Sequence, residues 1–77
     1  MPREELPQWV HDRRRELGDR IRDLRDEAGL TQEQFAERSG IDRRTLQRYE
    51  RADTEVPYSA LLLIAHALEI PLSDLTR

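Results

Sequence analysis

Residues 31–50 read TQEQFAERSGIDRRTLQRYE, and the order of breakers and apolar residues in this stretch decides the architecture. Thr31 can cap the free amides of a helix start, and Gln34 three residues on completes a Thr-x-x-Gln capping box. Phe35 and Ala36 supply the inward side of that helix, and Ser39 with Gly40 ends it after two turns. A tight turn needs a left-handed residue, which glycine adopts without steric penalty. Asp42 then caps a further helix, reaching about Arg51 through Leu46 and Tyr49.

The composition of that last helix, 42–51, is one-sided. At about 100° per residue from Arg43, Gln47 falls near 40°, Arg51 near 80°, Arg44 near 100° and Arg48 near 140°. Leu46 falls near 300° and Tyr49 near 240°, on the other side. Solvated helix faces ordinarily mix charge signs for solubility. This arc holds only arginine and glutamine, in a chain with 16 acids against 13 bases. Arginine can donate two hydrogen bonds to guanine O6 and N7, worth about 1–3 kcal/mol of discrimination per pair.

Outward from this pair, the periodicity stays helical, with no alternating strand pattern. Leu17, Ile21, Leu24 and Ala28 recur at three- and four-residue spacing ahead of Gly29, a helix stop. Gly18 inside that helix costs about 1 kcal/mol against alanine, which predicts a close backbone contact there. After a polar connection (ADTEVP, 52–57), Pro57 suits the first turn of a fourth helix with Leu61, Ile64, Ala65 and Leu68 inward. Pro71 starts a final short turn or helix through Leu72 and Leu75. The expected fold is all-α, a compact domain of five helices over 17–77, preceded by a helical N-terminal extension, 1–16. Two readings of that extension stand. A separate short helix runs from about Pro7 to Arg15, or the first helix begins early, reaching about 33 Å and leaving Trp9 in need of a partner.

The central residues resemble the helix-turn-helix of the lambda-repressor-like family, the xenobiotic-response-element type of bacterial and phage regulators. The resemblance rests on Gln32, Ala36, Gly40, Ile41 and Leu46, and on the flanks LGDRIRDLRDEAGLTQ and LLLIAHALEIPLSDL. It implies double-stranded DNA as partner, with Arg43, Arg44 and Arg48 reaching base edges and Gln32 contacting phosphate. Gln47 and Arg51, on the same arc, are expected to contact the backbone. It also implies an ion pair between Arg25 and Glu50 that positions the recognition helix. Relatives carry glycine where Ala52 stands, so either Ala52 or Asp53 must take the left-handed exit from that helix. A homodimer on a palindromic site is expected, since one helix reads few base pairs. A toxin or another regulator is the alternative partner, because antitoxins use the same fold, and an adaptor without DNA is a further one.

Composition bounds the rest. With 77 residues and 9.1 kDa the chain supports one domain. The absence of cysteine excludes disulfides and thiolate metal sites. No apolar run nears the roughly 20 residues that span a bilayer, and the charged N-terminus lacks the apolar core of a secretory signal. The expected location is the cytoplasm, on the nucleoid when DNA is bound, with no membrane association. His11 and His66 are too isolated for a metal site, and no glycine-rich phosphate loop or catalytic set occurs. Neither an enzyme nor a cofactor is expected. Arg13, Arg14 and Arg15 read as a solvated run balanced by Asp12 and Glu16, with a phosphate contact as the alternative. Leu61, Leu62, Leu63 and Ile64 cover more of a helix than a core can take. Two readings stand: a more apolar edge of the core, or a candidate oligomer interface at Leu63, with Trp9 and Val10 either joining the patch or covering it within one chain.

The net charge of −3 at first argues against a polyanion. By segment it is −3 over 1–37, +3 over 38–51 and −3 over 52–77. All 13 basic residues are arginine, a bias that a GC-rich genome accounts for as well as chemistry does.

Overall fold

A computed structural model describes residues 5–77, and its helices start and stop where local chemistry directs. The elements are α1 (Gln8–Glu27), α2 (Gln32–Ser39), α3 (Arg43–Glu50), α4 (Tyr58–Leu68) and α5 (Ser73–Thr76). Among the described residues there is no strand. The Thr31 hydroxyl accepts from the Gln34 N–H at 3.1 Å, and the Gln34 side chain accepts from the Thr31 N–H at 2.9 Å. Both halves of the capping box are therefore present. Gly40 ends α2 at φ 74°, and the Ser39 hydroxyl accepts from the Ile41 N–H at 3.1 Å to hold the turn. Asp42 caps α3 by accepting from the N–H groups of Arg44 and Thr45.

Of the two readings of the N-terminus, the early start is the one that forms. α1 is a single helix of 20 residues, about 30 Å long. Its first nine residues are the described helical part of the extension; residues 1–4 of that extension lie outside the described residues. The arginine run divides. Arg13 and Arg15 are exposed, and Arg13 pairs with Glu16 at 3.6 Å. Arg14, one turn before Gly18 on the inward side, is half-buried with its guanidinium nitrogens enclosed. His11 is half-buried and His66 exposed.

The core is built from Ile21, Leu30, Phe35, Leu46, Tyr49, Ile64, Leu68 and Leu75, with Ala60, Ala65 and Ala67 letting α4 approach closely. α1 packs on α3, α4 and α5, and α2 packs on α3 and α4. Five fully buried large side chains come from five different segments, so the removal of any one loosens several helices.

The closest approach is at Gly18. A β-carbon there would sit 2.7 Å from the carbonyl oxygens of both Tyr49 and Glu50. The glycine expected to mark a backbone contact is thus the point where α1 crosses the end of α3. Beyond α3, Ala52 itself takes the left-handed exit, at φ 58°, and its N–H bonds the Tyr49 carbonyl while that of Asp53 bonds the Arg48 carbonyl. Glu69 closes α4 in the same way at φ 56°.

Candidate nucleic-acid interface

α3 presents two unlike sides. Leu46 and Tyr49 are buried, while Arg43, Arg44, Arg48 and Arg51 are exposed. The helix is held by the core on one side and offers guanidinium groups on the other, with its Asp42-capped N-terminus leading.

What fixes the angle of α3 is a polar cluster behind it. Arg25 donates from Nε to Glu50 Oε2 at 2.8 Å and from Nη2 to Glu50 Oε1 at 3.2 Å, a two-pronged ion pair between α1 and α3. The remaining prong of Arg25 donates to the Leu30 carbonyl at 2.9 Å. The side chains are only 11% and 5% exposed, so water screens the pair poorly. The Arg25 guanidinium is raised above its already high ordinary value. The hydrogen bond to Glu50 is the largest cause, working against desolvation, and the charges of Glu50 and Asp26 add to it. Glu50 is one of two buried polar residues among the described residues, and this geometry accounts for it: a buried carboxylate with a bidentate partner.

The two glutamines meet. Gln47 Nε2 donates to Gln32 Oε1 at 2.8 Å, and Gln32 Nε2 reaches Glu50 Oε1 at 3.5 Å. Gln32 stands at the start of α2, so these contacts tie that helix N-terminus to the outward side of α3. A chain of contacts thus runs from α1 through Glu50 and Gln32 to Gln47. Of the residues expected at an oligomer interface, Trp9 and Leu63 are exposed and Val10 is half-buried. Tyr58 and Leu62 are exposed as well and share with Leu63 the outer side of α4.

One residue near the arc escapes the helical wheel. Glu33, the second residue of α2, lies 3.0 Å from Arg43 Nη1. The exposed arc of α3 carries no acid of its own; this one comes from the neighbouring helix. Only the crossing of α2 with α3 brings the two together.

Comparison with known proteins agrees with this geometry. A profile of the helix-turn-helix family matches residues 21–75. An uncharacterized transcriptional regulator in the ATPase CF(0) region of Rhodospirillum rubrum is 36% identical over 72 residues, which span 88% of this chain and 67% of that protein. The crystal structure of the restriction-modification controller protein C.AhdI from Aeromonas hydrophila superposes with a TM-score of 0.78 at 38% identity. That match covers 83% of this chain and 96% of the controller protein. With its five helices, its capped turn and its one-sided third helix, the chain belongs to the helix-turn-helix family of DNA-binding transcriptional regulators, in the lambda-repressor-like fold.

Proposed function

We propose that the protein regulates transcription by reading a specific double-stranded DNA sequence with α3 in the major groove. The observation that carries this is the exposed arc of Arg43, Arg44 and Arg48 on a helix whose other side is locked into the core. Arginine side chains of this reach bond guanine edges bidentately. Gln32, Gln47 and Arg51 are assigned to the sugar-phosphate backbone. The N-terminus of α2, with its free amides, favours a phosphate in any case.

One helix of 8 residues covers few base pairs, so selective binding calls for two copies. A second copy of this chain, docked through the exposed Tyr58, Leu62 and Leu63 side of α4, would place two recognition helices on one palindrome, with half-sites about 34 Å apart. The same apolar side is what favours a second reading, a protein partner of another kind such as a toxin. Among the described residues no helix is long and apolar enough to cross a membrane, and the proposed site of action is the cytoplasm.

The test is duplex binding by Arg44→Ala. Affinity for the selected site is expected to fall by about 1–3 kcal/mol, with one base position relaxed. Equal affinity of wild type and variant for both cognate and scrambled duplexes would overturn the reading.

A further inference from the structure

We infer that Glu33 is a specificity-determining residue that acts by positioning Arg43, an inference that rests on the recognition reading of α3. The observation is the cross-helix contact: Glu33 Oε1 accepts from Arg43 Nη1 at 3.0 Å, ten residues apart in sequence. Arg43 is the first residue of α3, and its side chain is more than half exposed. A free arginine at such a site samples many rotamers, and ordering it on DNA carries an entropic cost. Glu33 engages one terminal nitrogen and leaves the other nitrogens of the planar group as donors. The guanidinium is therefore presented as an oriented fork rather than a diffuse positive charge.

The carboxylate has a second effect on the same choice. It brings negative charge to the edge that approaches the phosphates, so it opposes any docking that Arg43 does not offset with a base contact. Specificity is a difference between affinities, and a repulsive element against the wrong sites widens it. Both side chains are more than half exposed, at 75% for Glu33 and 54% for Arg43, so this contact contributes little to the fold itself. Its geometry is relevant to what α3 reads.

The experiment compares base-preference profiles, obtained by selection from a random duplex pool, for wild type, E33Q, R43Q and E33Q/R43Q. Circular dichroism and thermal melting confirm that all four fold alike. Glu33→Gln is expected to flatten the profile at the base pair that Arg43→Gln flattens. It should lower the ratio of cognate to scrambled affinity by about two- to fivefold, the range of an exposed ion pair. The double variant is expected to match R43Q. The inference is overturned if E33Q keeps the wild-type profile, or if it changes the profile equally with Arg43 already removed. A wild-type profile for R43Q would instead remove the recognition role of Arg43 itself, and the positioning role with it.

Discussion

At Ala52 the backbone turns left-handed, with φ 58°, at a position where an L-residue bears a steric penalty of about 1–2 kcal/mol. Substitution Ala52→Gly is expected to stabilise the domain by about 1 kcal/mol, offset in part by the greater freedom of glycine in the unfolded chain. Urea denaturation checks this, and a clear loss of stability would show that the exit from α3 is held by something else. Arg25 and Glu50 set the other residue-level expectation. Arg25→Met leaves a buried carboxylate unpaired, at a cost of about 3–5 kcal/mol, whereas R25M/E50M recovers most of it. The pH dependence follows from the raised Arg25 value. A cation with a raised folded-state value contributes fully below its unfolded value and loses that contribution only as pH rises through the folded one. The loss caused by Arg25→Met should therefore be the same at neutral pH and at about pH 9.5.

Among the elements, the capped starts of α2 and α3, the glycine turn between them and the one-sidedness of α3 are legible in the sequence, because each depends on neighbours within four residues. Gly18 is legible for another reason. A glycine that weakens a helix is tolerated where a side chain would collide, and the collision is with the last carbonyls of α3. Glu33 is not legible, since its place beside Arg43 depends on the angle between two helices and on no local pattern. The solvated reading of Arg14 fails for a different reason: the residue lies on the inward side of α1, one turn before Gly18, and its guanidinium nitrogens are enclosed. Gly18→Ala is expected to push α3 away from α1, destabilising the domain by about 1–3 kcal/mol and weakening DNA binding beyond that. Gly40→Ala serves as the contrast. A β-carbon there meets open space, so the expected cost is the left-handed strain alone, with α3 left in place.

For the whole molecule, charge and apolar surface have separate addresses. The basic stretch lies over 38–51 with acidic segments before and after it, so non-specific attraction to DNA should be weak and docking should depend on α3. Leu62 and Leu63 remain 45% and 46% exposed on a 77-residue chain, an arrangement that a second copy would relieve. On the proposed dimer reading, Leu63→Asp is expected to leave a monomer in sedimentation velocity and to reduce affinity for a palindrome far more than for a single half-site. Equal loss on both would place Leu63 outside the dimer contact. The most direct measurement of the central claim is selection of bound duplexes from a random pool by wild type and by Arg44→Ala. The account predicts an enriched palindrome of two half-sites for the wild type and the same palindrome flattened at one symmetric position for the variant. No enriched sequence for the wild type, or an identical one for both proteins, would contradict it.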